Sequence, residues 1–131
     1  MAAAIPEKYV DIFDKKTFAQ VATVMPDGTP HVSPVWVDYD GKNIVINSAK
    51  GRVKDRNMRR DPRVGVDLLD PDNPYRHISI LGRVTEITEQ GAAEHINKLS
   101  RKYLGKDYPY AGNGEVRVIY KIEPQHVHAM G

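Results

Sequence analysis

The residues best suited to bind an anion lie between Asn47 and Pro62, in the segment NSAKGRVKDRNMRRDP. From Lys50 to Arg63, seven residues are basic and two are acidic, so this stretch carries a net charge of +5 in a chain whose total is +2. The basic residues are Lys50, Arg52, Lys54, Arg56, Arg59, Arg60 and Arg63. Positive charge concentrated at one place suits a ligand that carries several negative charges.

The order of residues in this segment predicts a phosphate site. An apolar, strand-like run ends at Asn47 and Ser48, the chain turns at Gly51, and a short basic helix follows. The two polar side chains, a glycine that permits close approach of the backbone, and the free N–H groups of a helix N-terminus can together hold a phosphate. A soluble helix with a solvated basic face has the same composition, so charge alone leaves both interpretations open.

Length and composition limit the class of protein. A chain of 131 residues predicts one domain, residues 1–131. No stretch resembles a membrane span or a signal peptide, so we expect a cytoplasmic protein that does not bind membranes. The absence of cysteine excludes a disulfide framework, a thiolate nucleophile and a Cys-ligated zinc site. The balance of 19 basic and 17 acidic residues argues against broad binding to nucleic acid.

Periodicity and turn residues predict a mainly β fold. Six strands are expected, at residues 18–25, 31–37, 43–48, 64–69, 75–88 and 115–122. Gly28 is expected in a turn between the first two strands, and Gly82 in a bulge within the longest strand. Helices are expected at residues 6–13, in the basic segment and at residues 91–104. These elements predict a six-stranded antiparallel β-barrel with α-helices packed against it.

Two motifs in this order of elements carry a resemblance. The first is Ala22-Thr23, Asp27-Gly28, Pro30 and Ser33-Pro34-Val35-Trp36-Val37; the second is Lys54, Arg56-Asn57 and Arg60-Asp61-Pro62-Arg63. Over nearly its whole length the chain resembles the pyridoxamine 5'-phosphate oxidase-like, FMN-binding split β-barrel proteins. Within them it is most similar to the small reductases that use the deazaflavin coenzyme F420. Its final residues, PQHVHAMG, lack the arginine-containing motif of the vitamin-processing oxidases, so oxidation of pyridoxamine phosphate is not expected.

The resemblance implies an oxidoreductase. Hydride would pass from F420H2 to an electron-poor conjugated or quinone-like small molecule, and two copies of the chain would form a homodimer with the cofactor in a cleft between the barrels. Because the cofactor carries the difficult chemistry, no catalytic side chain is predicted. No metal site is predicted either, because His126 and His128 have no evident third ligand nearby.

The resemblance also implies eleven cofactor-binding residues. They are Ser33, Pro34, Val35 and Trp36 under the ring system; Asn47, Ser48 and Ala49 beside the ribityl chain and phosphate; Arg52, Lys54 and Asn57 in the phosphate-binding helix; and Lys50 beyond the phosphate. Pro34 removes one backbone donor from the ladder and would open the sheet edge to a flat ligand, although a proline can equally protect an edge strand from aggregation. Trp36 would serve as a stacking platform or as a core or dimer filler.

Charge helps to choose the cofactor. FMN presents one phosphate, whereas F420 has a phosphodiester and a polyglutamate tail, and seven basic residues in fourteen positions suit the tailed cofactor better. An FMN-binding oxidoreductase of the same fold is the alternative. A non-catalytic module that binds a cofactor or nucleic acid is a further one. The stretch from Lys50 to Arg63 contains no aromatic residue, which disfavours binding to single-stranded nucleic acid.

Overall fold

The computed structural model describes residues 2–131 and is built around one antiparallel sheet of seven strands. The strands are β1 (Ala19–Val24), β2 (Pro30–Val35), β3 (Val37–Tyr39), β4 (Ile44–Ala49), β5 (Arg63–Asp70), β6 (Asn73–Thr88) and β7 (Arg117–Met130). A 3-10 helix (Glu7–Asp14) and two α-helices, α1 (Val53–Arg60) and α2 (Ala92–Leu104), complete the fold. The strand order is β2-β1-β5-β6-β7-β4-β3, and the sheet curls into a split barrel, which confirms the mainly β prediction.

The predicted strand at residues 31–37 is wrong at Trp36, because the chain there forms two strands and the total becomes seven. Val35 pairs with Ala19 of β1, but Val37 pairs with Ile46 of β4 at the other side of the sheet. The amide of Val37 donates to the Tyr103 hydroxyl at 3.2 Å, and this hydroxyl donates to the carbonyl of Thr17. A side chain of α2 therefore satisfies backbone groups at the position where the sheet splits.

The concave face of the sheet holds the hydrophobic core. Alternate residues of the strands are buried there, as Val64, Val66 and Leu68 are on β5. All six residues of β4 are buried, since this strand pairs on both sides and α2 packs against it. The 3-10 helix adds Tyr9, Ile12 and Phe13 to this core, and Ile5, just before the helix, joins them.

The predicted bulge at Gly82 is confirmed. The pairing of β6 with β7 changes register between Leu81 and Gly82. A Cβ atom at this position would lie 2.6 Å from the side chain of Ile122, so the two strands can approach only at a glycine. Strand β7 continues to Met130, well beyond the predicted end at residue 122. The apolar alternation that predicted the strand ends near residue 122, but β6 is long enough to pair with the residues that follow.

Residues 2–131 show neither a membrane-spanning helix nor a cluster of metal-binding side chains. Within that range no helix combines the length and the apolar character that crossing a membrane requires. The same residues include no group of three or more His, Cys, Asp or Glu side chains placed to share a metal ion. His126 and His128 both lie on β7 with their side chains exposed.

Candidate functional site

A pocket of about 240 Å³ lies where the ends of β2 and β4 meet the start of α1. Residues from both motifs of the sequence line it, together with residues from α2, β7 and the loop between them. The lining consists of Phe18, Pro34, Val35, Trp36, Asn47, Ser48, Arg52, Lys54, Ile96, Tyr108, Tyr110 and Arg117. Apolar and aromatic side chains therefore share this pocket with three cations.

The turn between β4 and α1 places two of the cations. Gly51 has a φ of +92°, a conformation that other residues rarely adopt, and it redirects the chain immediately after β4. The buried carboxylate of Asp55 accepts a hydrogen bond from the amide of Gly51 at 2.9 Å and so fixes this turn. As a result, Arg52 and Lys54 follow the strand end directly and both reach the pocket.

Lys54 is a half-buried ammonium group that makes no hydrogen bond or ion pair with any other residue of the range 2–131. Burial, and then the nearby charges of Arg52 and Arg117, lower the pKa of Lys54. A partly desolvated cation beside two others is electrostatically unfavourable until an anion joins them. The positive charges of the pocket therefore favour the binding of an anion.

Glu115 is the acidic residue that contacts these cations. It forms an ion pair with Arg52, while its other carboxylate oxygen lies 3.5 Å from Nη1 of Arg117. One carboxylate therefore faces three positive groups, Arg52, Lys54 and Arg117. The excess of positive charge in the pocket is sufficient to bind a phosphate or another dianion.

Arg117 is well enclosed, with a side chain only 11% exposed. Its Nε donates to Oδ1 of Asn47 at 2.9 Å, and its guanidinium lies 5.2 Å from the centre of the Tyr108 ring. Burial lowers the pKa of Arg117, yet a guanidinium remains charged at any physiological pH. The hydrogen bond and the aromatic contact hold this charge in one orientation.

The remainder of the pocket lining is mainly apolar and includes a flat aromatic surface. Trp36 stacks on Tyr103 with ring centres 5.2 Å apart and an angle of 5° between the planes, and it meets Tyr108 edge-on. Pro34 and Val35 continue this wall along β2. The hydroxyl of Ser48, on the adjoining strand, is buried without a hydrogen-bond partner. A flat ring with a phosphate-bearing chain fits this set of groups, and the free Ser48 hydroxyl could donate to that chain.

The pocket brings together seven of the eleven predicted site residues, Pro34, Val35, Trp36, Asn47, Ser48, Arg52 and Lys54. Ser33, Ala49, Lys50 and Asn57 do not line it. Asn57 is 2% exposed, and its amide donates to Oγ1 of Thr23 on β1. Nζ of Lys50 lies 3.4 Å from Oε2 of Glu89, with which it forms an exposed ion pair. The hydrogen bond between Asn57 and Thr23 ties α1 to β1, so Asn57 supports the position of the helix.

Three of the basic residues of the segment are engaged away from the pocket. Arg59 pairs with Asp55 at 3.0 Å, Arg60 donates to the carbonyl of Val24, and Arg63 pairs with Asp61. Only Arg52 and Lys54 of the seven line the cavity. The charge density of the sequence therefore overstates the charge that a ligand would meet in this pocket.

Five lining residues were not among the predicted site residues, namely Phe18, Ile96, Tyr108, Tyr110 and Arg117. They come from β7, α2 and two loops, and all except Phe18 are far from the motifs in sequence. The sequence indicates a role for Arg117 only weakly. It is a basic residue at the start of an apolar strand, and the next residue, Val118, is fully buried. Tyr108 and Tyr110 lie in a loop where sequence pattern predicts no side-chain direction.

The chain is similar to a known protein family and to several solved structures over nearly its whole length. Residues 5–131 match the model of the family described as pyridoxamine 5'-phosphate oxidase. A solved structure named F420 reductase is 31% identical, with a TM-score of 0.85; the match covers 95% of this chain and 98% of that one. A conserved hypothetical protein from Mycobacterium tuberculosis is 26% identical with a TM-score of 0.77, covering 98% and 86% of the two chains. A protein from Listeria innocua, 24% identical with a TM-score of 0.71 over 94% and 95%, shares the fold.

Proposed function

The chain belongs to the pyridoxamine 5'-phosphate oxidase family, a family of oxidoreductases whose fold binds flavin-type cofactors, and from this membership we propose that it is an F420H2-dependent reductase. The observation that carries the proposal is the half-buried, unpaired Lys54 near Arg52 and Arg117, in a pocket that aromatic side chains also line. This arrangement suits a flat cofactor with an anionic chain. The 31% identity to the structure named F420 reductase supports F420 as that cofactor.

The residues of the pocket would have two roles, binding the anionic chain and binding the ring. Arg52, Lys54 and Arg117 would neutralise the phosphodiester, with Ser48 donating a hydrogen bond to the same chain. Pro34, Val35 and Trp36 would contact the ring system and exclude water from it. When bound, reduced F420 supplies a hydride to an electron-poor conjugated or quinone-like acceptor. The protein's contribution is to bind, orient and shield, which requires no nucleophile from the chain.

We also propose that two copies of the chain complete the site. The pocket volume of about 240 Å³ is below the range of roughly 300–1,000 Å³ usual for ligand sites. A larger concavity of about 450 Å³ lies over β1, β2, β5, β6 and β7. Val32 and Leu81, which are 59% and 62% exposed, give it an apolar surface of the kind that protein interfaces cover.

The pairing of β1 with β2 connects this concavity to the pocket. Gln20 lies opposite Pro34, and Ala22 lies opposite Val32, so these four side chains share one face of the two strands. Pro34 lines the pocket, whereas Gln20, Ala22 and Val32 line the concavity. A second copy seated on the apolar surface would therefore also cover the open side of the pocket.

The cofactor assignment is tested by equilibrium binding of oxidised F420 and of FMN to the purified protein, followed by fluorescence. We expect F420 to bind more tightly than FMN by at least about tenfold, because its phosphodiester and tail carboxylates meet more of the excess positive charge. Tighter binding of FMN would replace the proposal with a flavin-dependent oxidoreductase of the same fold. If neither cofactor binds, the proposal is wrong, and a binding module becomes the better assignment.

The dimer is tested by light scattering coupled to gel filtration. We expect the wild type to elute as a dimer and Val32→Glu to elute as a monomer that binds F420 more weakly, because a charge buried in an apolar interface is costly. Tyr75→Glu is the matched control, since Tyr75 is 80% exposed and lies outside the concavity. A dimer that survives Val32→Glu would place the interface elsewhere.

A further inference from the structure

A continuous chain of hydrogen bonds leads from the pocket, through a side chain of α2, to β3. Nε of Arg117 donates to Oδ1 of Asn47 at 2.9 Å, and Nδ2 of Asn47 lies 3.1 Å from Nδ1 of His95. Nε2 of His95 lies 3.1 Å from Oδ2 of Asp38 on β3. The chain thus joins β7, β4, α2 and β3, and only its first two members line the pocket.

The neighbours of Asn47 fix the direction of every bond in this chain. Nδ2 of Asn47 also donates to the carbonyl of Ala92 at 3.0 Å, and a carbonyl can only accept. The Nε–H of Arg117 can only donate, so Oδ1 of Asn47 must face it. The remaining N–H of Asn47 therefore points at His95, whose Nδ1 must accept, and the proton of the neutral ring must lie on Nε2.

Asp38 provides the fixed acceptor at the end of the chain. Burial would raise the pKa of Asp38, but hydrogen bonds from His95, from Lys98 and from the amide of Tyr39 outweigh it and hold the pKa well below its usual range. The carboxylate is therefore ionised and accepts the Nε2 proton of His95.

We propose that His95 is a positioning residue that fixes Asn47, and through it the anion-binding guanidinium of Arg117, by accepting at Nδ1 and donating to Asp38 from Nε2. The proposal rests on the proposed function only in that the ligand of the pocket is an anion. His95 does not touch this ligand and acts through Asn47. An outer partner that orients a binding group in this way commonly decides how well the group binds.

The chain requires that Nδ1 of His95 carries no proton. A second proton on His95 would occupy Nδ1 and face the N–H of Asn47, so that two donors meet. If the amide of Asn47 turned over to relieve this conflict, its nitrogen would face Arg117 and its oxygen would face the carbonyl of Ala92. Protonated His95 is thus incompatible with the bond that holds Arg117.

The charged groups around His95 are few. They are Asp38 on β3, Lys98 on the same helix and, through Asn47, Arg117 on β7. Lys102 of α2 bonds to the carbonyls of Phe13 and Val37. Of these groups, Asp38 and Lys98 also bond to each other, and the ionised carboxylate of Asp38 is the group that accepts from the His95 ring.

The first test uses the cofactor-free protein and does not depend on activity. Nitrogen-15 NMR of His95 at neutral pH should show an unprotonated Nδ1 and a protonated Nε2, and the Nε proton of Arg117 should exchange slowly with solvent. In His95→Leu that proton should exchange at least about tenfold faster, because the loss of one link frees Asn47. A ring protonated at Nδ1, or unchanged exchange at Arg117, would overturn the proposal.

The second test compares affinities for inorganic phosphate and for F420. His95→Leu should weaken both by about tenfold, the effect of one well-aligned hydrogen bond. His95→Gln can both accept and donate, so it should restore both affinities to within about threefold of the wild type. Lys98→Met is the matched control, because it removes another partner of Asp38 that lies outside the chain, and it should leave both affinities unchanged.

The outcomes separate this proposal from the proposed function. If the wild type binds phosphate but not F420, the cofactor assignment fails while the positioning role is still measured with phosphate. If it binds neither, the NMR signals of His95 and Arg117 still decide whether the chain exists. If His95→Leu does not fold, His95→Gln decides, and an affinity for phosphate more than about tenfold below that of the wild type would overturn the proposal.

Discussion

Replacing Lys54 with methionine is expected to weaken the binding of F420 and of inorganic phosphate by about 100-fold, the effect of removing one partner of a desolvated charge pair. The thermal midpoint of the ligand-free protein should stay the same or rise. Lys54 is half-buried and has no acidic partner among residues 2–131, so its charge opposes folding while the pocket is empty. Methionine keeps most of the apolar stem and removes this opposition.

Two further variants show whether the effect belongs to the position or to the charge of the whole segment. Arg56→Met removes a positive charge from the exposed face of the same helix, outside the pocket, and should change affinity by less than about threefold. Lys54→Arg retains the charge and should bind more tightly than Lys54→Met. Equal losses in Arg56→Met and Lys54→Met would mean that the helix attracts anions only through its general field.

The pH dependence of phosphate binding gives the same site a second signature. Burial, with Arg52 and Arg117, lowers the pKa of Lys54, so the free protein loses this charge at a lower pH than an ordinary lysine does. Binding of an anion favours the charged form. Affinity should therefore decline as pH rises through the lowered range, and the decline attributable to this group should be absent from Lys54→Met.

Asp55→Ala is expected to reduce the free energy of unfolding by about 3 kcal/mol, because it removes the acceptor from a buried network. The carboxylate is 1% exposed and accepts from the amide of Gly51, the hydroxyl of Tyr120 and Nε of Arg59. Its loss leaves buried donors unpaired and releases the turn that places Lys54. Urea denaturation should show the loss of stability, and phosphate titration should show weaker binding in the folded fraction.

The control for this variant is an exposed aspartate. Asp107→Ala breaks the ion pair with Arg101, in which both side chains are more than half exposed, and should change stability by less than about 0.5 kcal/mol. Asp55→Asn keeps an acceptor for some of the donors and should lie between the wild type and Asp55→Ala. A stability of Asp55→Ala equal to that of the wild type would show that the network contributes nothing.

The stabilising effect of Asp55 also has a definite dependence on pH. Burial would raise the pKa of Asp55, but hydrogen bonds from Gly51, Tyr120 and Arg59 outweigh it, and the pKa of the folded state is lowered. The carboxylate therefore stabilises the fold fully above the pKa of the unfolded chain, about 3.9. This contribution is lost as pH falls through the folded-state pKa, so the difference between wild type and Asp55→Ala should shrink in acid.

Much of the fold could be predicted because its determinants are local. The turn at Gly28 and the bulge at Gly82 depend on the missing side chain, and glycine marks both positions in the sequence. The apolar spacing of α2 and the closing Gly105, with its φ of +78°, likewise depend on neighbours a few residues apart. Each of these signals is legible without knowledge of the remainder of the chain.

The break at Trp36 could not be predicted in this way. Residues 31–37 have a composition suited to one strand, and the break depends on Tyr103, which lies 66 residues away from Val37 and takes its amide hydrogen bond. The same holds for the length of β7, which depends on the length of β6. Long-range pairing decides where a strand ends whenever the local pattern permits more than one answer.

For the site, the sequence by itself determined that positive charge, a tight turn and a strand end occur together between Asn47 and Pro62. The tertiary structure decided which charges face the pocket. Arg59, Arg60 and Arg63 bind partners outside the pocket, whereas Arg117 of β7 lines it. It also decided that His95 lies behind Asn47. Composition fixes how much charge a segment carries, but the direction of each side chain depends on acceptors and packing surfaces that distant parts of the chain supply.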